Sequence, residues 1–280
     1  MEGGGLRALF TAGVLDVLME NGIRFDGAVG VSAGATFGCN YKSGQNGRAL
    51  RYNLRFKDDP RYMGLRSLLR TGNLVNADFS YHVLPTSLDV FDTKAYMENP
   101  MEFHCVCTDA ETAEPVYRRL DEMGYDELEW IRASASMPIV SRPVEIGGRK
   151  LLDGGIVDSI PLRYFQGIGY RRNVVILTQP KGFYKRKTLL MPVFHVAMRK
   201  YPAIVKAMAR RHLMYNEQLR YLHQQEKDGN ILLVYPQDTL PIGRTQQSEQ
   251  KMLMVYRMGR KAGESHLKNI KEFVERCEEE

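Results

Sequence analysis

The sequence predicts an α/β protein with a largely parallel sheet, and three observations predict it. Strand-like and helix-like stretches alternate over the first two thirds of the 280 residues. A short apolar strand in RFDGAVGVSAGATFGCNY runs through a Gly/Ser/Ala-rich turn straight into a helix. The composition, 44% hydrophobic and 26% charged, suits a globular chain with a sizeable core.

The elements follow in order. After Gly3-Gly4-Gly5, LRALFTAGVLDVLME carries apolar residues at helical spacing and stops at Asn21-Gly22, a common helix terminator. The strand–turn–helix unit around Ser32 comes next. Further strands are expected at EFHCVCTD, EPVYRRL, PVEI, RKLLD and NVVILTQ, and helices at 46–56, 126–135 and 161–168. Gly147-Gly148 reads as a tight turn between two of the strands. From about residue 188 the pattern is mostly helical, interrupted by one buried strand in GNILLVYPQ. Residues 1–180 are therefore expected to form a catalytic core, and 181–280 a mostly helical region packed on it.

Charge and cysteine content narrow the function. The formal net charge is +6, with basic residues gathered in KGFYKRK and MRKYPAIVKAMARRH and acidic ones at the C-terminal EFVERCEEE. Such a surface attracts polyanions, but no zinc-finger spacing, basic zipper or RNA-binding aromatic motif accompanies it, so nucleic acid is not the expected partner. In the second basic stretch Val196, Ile204, Val205, Met208 and Leu213 can form an apolar face bordered by Arg199, Lys200, Lys206, Arg210 and Arg211. That pattern fits a helix packed on the core and equally one lying on an anionic membrane surface. Cys39, Cys105, Cys107 and Cys277 form neither a disulfide framework nor a metal-ligand spacing, and read as reduced residues of the core. No apolar run is long enough to span a bilayer and no signal-peptide pattern follows Met1. The expected location is cytoplasmic, with peripheral contact at the inner face of the membrane.

Gly30-Val31-Ser32-Ala33-Gly34 carries the first specific chemistry. A G-x-S-x-G turn needs small residues on both sides of the serine, because a strand reverses into a helix too sharply for larger ones, and it leaves the hydroxyl exposed. From Gly5 to Ser32 the chain holds one helix and one strand, enough for a right-handed crossover that brings the glycine loop beside the serine. The amides of Gly3, Gly4 and Gly5 can then face the oxygen of an acyl group under attack. The phosphate-loop pattern G-x-x-x-x-G-K-[ST] is absent, and GGGLRA does not match the dinucleotide fingerprint. Arg7 is open to a structural or a catalytic role. The candidate base is Asp153, at the end of a strand and followed by Gly154-Gly155.

In this order and separation, GGGLR at residues 3–7, GVSAG at 30–34 and DGG at 153–155 resemble the three motifs of the patatin-like phospholipases. The resemblance extends to ASASMPIV and TDAETAEPVY, and covers roughly residues 2–180. It implies a three-layer α/β/α fold and hydrolysis of a lipid acyl ester by a Ser-Asp dyad without histidine. Ser32 would be the nucleophile, Asp153 the base, and the Gly3, Gly4 and Gly5 amides the oxyanion hole, with Arg7, Gly30, Gly34, Gly154 and Gly155 in support. No cofactor or metal is implied. The C-terminal region looks like the variable part of a bacterial member.

Three other readings stay open. An α/β-hydrolase triad would recruit one of His82, His104, His195, His212, His223 or His266. An acyltransferase would share the acyl-enzyme and differ only in the acceptor. A membrane-associated regulator would keep the fold without turnover.

One expectation concerns the chain's start. A glycine loop that feeds a helix and faces a catalytic serine normally follows a central strand, and only Met1 and Glu2 precede Gly3. The first strand is therefore expected to be missing, through a late start assignment or a truncation, leaving a gap or a poorly ordered N-terminus beside the Ser32 strand.

Overall fold

A computed structural model describes residues 1–275 of the chain, so Cys277 and the last acidic residues lie outside the described part. The glycine loop leads through a short 3-10 turn into α1 (Leu9–Glu20), followed by β1 (Gly27–Val31) and α2 (Ala33–Lys42). Next come α3 (Arg48–Phe56), α4 (Leu65–Thr71), a wide π-type turn over Phe79–Leu88, and α5 (Thr93–Glu98). The sheet then gains β2 (Glu102–Asp109), β3 (Pro115–Arg119), β4 (Val144–Ile146) and β5 (Arg149–Asp153), with α6 (Tyr125–Ser134) between β3 and β4. The chain continues through α7 (Leu162–Gly167), β6 (Asn173–Ile176), α8 (Met191–Ala197), α9 (Pro202–Lys227), β7 (Ile231–Val234) and α10 (Glu249–Glu275).

The sheet is mixed rather than mostly parallel. β1 runs parallel to β2 and β6 parallel to β7, as crossover units require, whereas β3, β4 and β5 are antiparallel to their neighbours. The local cause is connection length. β3 returns on β2 across the turn at Ala110–Glu114, and β4 returns on β5 across Gly147-Gly148, and links this short can only reverse a strand.

Register along β2 places the site. Glu102 N–H donates to Asp26 O beside β1, and Ala110 N–H donates to Lys150 O beside β5, so even-numbered residues address one edge of β2. Asp109 N–H and Phe103 O face β3 instead. β1 and β5 thus lie end to end along one edge of β2: Val31 pairs with Val106 at the end of β1, and Asp153 pairs with Cys107 at the end of β5. Ser32 and Asp153 are the residues at that junction.

Helices cover both faces, which makes three layers. Phe103, Cys105 and Cys107 are fully buried in the main core with residues of α1, α2 and α6, as expected for reduced core cysteines. Val29, Val31 and Val106 pack on the opposite side against Phe165 of α7, and α9 covers β6 and β7 through Tyr215 and Leu222. α10 lies against α1 with Gly259 and Gly263 at the contact.

The N-terminus occupies the expected gap in part. Met1 N–H donates to Val29 O at 2.8 Å, Val31 N–H to Met1 O at 3.2 Å, and Glu2 N–H to Ile176 O at 3.0 Å. These two residues are therefore ordered and bridge β1 to β6. Below them, among the described residues, no strand lies between Gly27–Ala28 and Asn173–Val174, and a cavity of about 130 Å³ opens there.

The basic stretch is not one helix. The chain breaks before Tyr201-Pro202, where proline starts α9 at a position that needs no N–H partner. Ile204, Val205 and Met208 are buried as expected, but Val196 and Leu213 are exposed, because the break rotates α8 out of phase with α9 and Leu213 falls on the outer side of α9.

Candidate active site

Ser32 holds φ 56° and ψ −127°, a conformation that costs energy for any residue with a side chain. Tight packing imposes it. A Cβ on Gly30 would sit 2.5 Å from Gly34 O, and one on Gly34 would sit 2.6 Å from Met1 O, so only glycine fits on either side. Ser134, on α6, locks the turn further: its Oγ accepts from Ser32 N–H at 2.9 Å and donates to Val106 O at 2.7 Å.

Asp153 is 2% exposed. Its N–H donates to Ser136 O at 2.9 Å, its carbonyl accepts from Thr108 Oγ1 at 2.8 Å, and its Oδ1 accepts from Gly155 N–H at 2.7 Å. Gly154 crosses so close to Val106 O that a side chain would collide there. Oδ2 is buried with no aligned donor. Burial pushes the Asp153 carboxyl above its ordinary range, opposed by the Ser32 hydroxyl, the Gly155 amide and the charges of Arg211 and Arg244. A base with its proton affinity raised this way, next to a strained serine, is suited to take a hydroxyl proton.

The sign of that shift yields a stability prediction. A carboxyl whose folded pKa is raised binds its proton more tightly in the folded chain, so the stability it contributes below its unfolded pKa is lost as pH rises through the folded one. Asp153→Asn is expected to raise the melting temperature at pH 7, because it removes a charge that the fold buries at a cost. The difference should close below about pH 4, near the ordinary carboxyl pKa. A variant that melts lower than wild type at pH 7 would contradict the assignment of a costly buried charge.

The glycine loop lies against the serine. Gly3 has no room for a Cβ, which would come within 2.8 Å of Ser32 Cβ, and Gly4 packs on Thr178. Gly5, at φ 58°, is pressed against Arg244 O. Among the described residues the amides of Gly3, Gly4 and Gly5 donate to no backbone or side-chain acceptor, and all three residues line the same cavity as Ser32 and Asp153. Arg7 also lines it, and is held by Gln179, whose amide oxygen faces the guanidinium.

That cavity measures about 970 Å³, the upper end of the usual range for ligand pockets. One side is apolar, with Phe37, Tyr52, Tyr62, Leu74, Leu84 and Phe91. The other carries Lys185, Arg211 and Arg244. Arg211, expected on a solvent-facing basic rim, instead reaches inward: its Nε donates to Gly155 O and its Nη2 to Ser159 Oγ at 3.4 Å. It clamps the turn that carries Asp153.

Several contributors were not legible in the sequence. Glu2 is buried beneath the loop, with Oε1 accepting from Tyr215 OH at 2.7 Å and Oε2 from Thr178 N–H at 2.6 Å. Neither Tyr215 nor Lys185 stands in a recognisable motif, and both reach the site only because α9 folds back over it. Among the described residues no histidine hydrogen-bonds Ser32 or Asp153: His104 meets Tyr164 and Glu102, His82 meets Glu129, and His212 lines the cavity with Nδ1 unpartnered.

Comparison with known proteins agrees with the motif reading. Residues 1–165 match the family model described as Patatin-like phospholipase, and residues 201–275 match a domain of unknown function, DUF6363. Uncharacterized protein YjjU of Escherichia coli is 34% identical over 192 residues, 65% of this chain and 52% of that protein. Lysophospholipase nte1 of Aspergillus oryzae is 27% identical over 174 residues, 60% of this chain and 11% of that protein. An uncharacterized NTE family protein of Mycobacterium tuberculosis is 26% identical over 165 residues, 59% of this chain and 44% of its own length. The chain thus spans about half, or less, of the length of these relatives. The solved structure of VipD from Legionella pneumophila aligns with a TM-score of 0.49 at 13% identity, over 96% of this chain and 66% of that one.

Proposed function

The chain belongs to the patatin-like phospholipase family, and from that premise we propose that it is a serine acyl-ester hydrolase acting on phospholipids, lysophospholipids or related lipid esters. The observation that carries the reading is the meeting of a strained Ser32, a buried Asp153 and unengaged glycine amides at the edge of a large, mostly apolar cavity. Asp153 takes the Ser32 proton as Oγ attacks the acyl carbonyl carbon, and the Gly3, Gly4 and Gly5 amides donate to the oxygen that becomes negative. The alcohol leaves with the proton and Ser32 retains the acyl group. Water, deprotonated by Asp153, then releases the fatty acid and restores the serine. The apolar side of the cavity is suited to an acyl chain.

The test is a panel of lipid esters varied in head group and acyl length, run beside a fluorophosphonate probe that marks activated serines. Release of fatty acid with labelling of Ser32 is the expected result. Labelling without release from any ester, but with acyl transfer to an added alcohol, would replace hydrolysis by transfer.

The outer surface supports peripheral contact with an anionic membrane. Leu189 is 94% exposed and Val196 75%, Leu190 and Val193 are also exposed, and Lys187, Arg199 and Lys200 surround them. Leu190 and Arg186 also line the mouth of the cavity, so this surface would set the opening on the lipid. Binding to vesicles is expected to rise with anionic lipid, fall with salt, and weaken about tenfold or more in a Leu189→Ser/Val196→Ser variant. Equal binding to neutral and anionic vesicles at low salt would remove the electrostatic part.

A further inference from the structure

Three cations meet on the polar side of the cavity without a carboxylate at ion-pair distance among the described residues: Lys185, Arg211 and Arg244. They differ from Arg48, which also lines the cavity but is paired with Asp89 at 3.2 Å. Each is fixed by the fold. Asn216 of α9 grips the Lys185 backbone from both sides, with Oδ1 accepting from its N–H and Nδ2 donating to its carbonyl, each at 2.9 Å. Arg211 is held on the Asp153 turn, and Arg244 sits where its carbonyl accepts Leu6 N–H at 2.9 Å, directly behind the glycine loop.

Like charges held together repel. Burial first, then the charges of Arg211 and Arg244, push the Lys185 ammonium down to about 7. Arg244 likewise lowers the proton affinity of Arg211 and Arg7, after burial in each case. The acidic groups that counter the cluster are Glu2, engaged by Tyr215 and Thr178, and Asp153, whose Oδ1 accepts from Gly155 N–H, and among the described residues neither makes an ion pair with it. Arg7, Arg211, Arg244 and a partly protonated Lys185 face two carboxylates, which leaves an excess of positive charge inside a cavity that also holds Ser32. A structure retains such an excess at a cost that a phosphate oxyanion would relieve.

We propose that Lys185, Arg211 and Arg244 form a subsite for the phosphate of a glycerophospholipid or lysophospholipid head group, with the ester carbonyl placed at Ser32 and the acyl chain on the apolar side. The proposal rests on the lipid-ester reading of the site. All three residues lie beyond residue 165, outside the part of the chain that matches the patatin-like model, and Arg211 and Arg244 fall within residues 201–275, which match DUF6363. A phosphate bound there neutralises the cluster and fixes the glycerol backbone, so the head group becomes a determinant of which ester is presented to the serine.

Equilibrium binding to the Ser32→Ala protein tests this without turnover, and so separates its failure from failure of the hydrolase reading. Titration calorimetry compares a short-chain 1-acylglycerol phosphate, the uncharged 1-acylglycerol of the same chain, and inorganic phosphate. The phosphate-bearing ester is expected to bind about tenfold or more tighter than its uncharged counterpart, the scale of charge-assisted contacts to one anion. In Ser32→Ala/Lys185→Met/Arg244→Met the ratio should fall to about threefold or less as those contacts go, while retained binding of the uncharged ester shows that the fold survives. Equal binding of the two esters to the Ser32→Ala protein would overturn the subsite. Inorganic phosphate binding as tightly as the acylglycerol phosphate would make this a site for free anions and overturn the head-group assignment.

Discussion

Ser32→Ala is expected to abolish both ester hydrolysis and fluorophosphonate labelling, and Asp153→Asn to lower the rate about a hundredfold or more while leaving a folded protein. An unactivated alcohol is nearly inert at neutral pH. In the proposed mechanism everything that activates Ser32 is local: the strained turn that presents it, the carboxylate at the adjoining strand end, and the amides of the neighbouring glycine loop. Asparagine keeps the size of Asp153 and its Oδ1 acceptor for Gly155 N–H, but it cannot take a proton. The two variants therefore separate chemistry from folding, since Asp153→Asn should lose rate while gaining thermal stability. The raised Asp153 pKa further predicts that wild-type kcat/KM falls as pH drops through it, because the protonated carboxyl is no longer a base. Rates unchanged in Asp153→Asn would hand the role of base to another group, and His212, the histidine on the cavity wall, would be the next to replace.

The second large effect is expected far from the serine. Gly259→Leu should destabilise the protein by about 3 kcal/mol or more, because any side chain there collides with Phe10 O on α1. Gly13 on α1 meets Tyr256 O in the same way, and Gly263 would bring a Cβ to 3.0 Å from Val17 Cβ, so the two helices touch backbone to backbone along three glycines. α1 starts directly after the glycine loop, and forcing it outward moves Gly3, Gly4 and Gly5 relative to Ser32. Activity should therefore fall together with melting temperature, measured by calorimetry and ester hydrolysis on the same sample. A Gly259→Leu protein with wild-type melting would mean that α10 does not hold α1, and that residues after 180 are dispensable for positioning the loop.

Residue type and spacing alone determined the parts of this protein that depend on local backbone chemistry. The glycines around Ser32 are demanded by the turn itself, as the collisions at Gly30 and Gly34 show, and so they announce it in sequence. The same holds for the strand at Glu102–Asp109, the hairpin turn at Gly147-Gly148, and the apolar periodicity of α1. What depends on distant partners was settled only by packing. Two short hairpins make the sheet mixed, and the end-to-end placement of β1 and β5 along β2, visible only in the register of their hydrogen bonds, brings Ser32 to Asp153. Proline breaks a basic stretch that reads as one helix, exposing Val196 while Arg211 turns inward to the Asp153 turn. Lys185, Tyr215 and Arg244 carry no local signature, because an ammonium, a phenol or a guanidinium leaves no constraint on its own backbone. Tyr215 reaches the site through Glu2, across more than a hundred residues of chain, and one strand of sequence does not record that meeting.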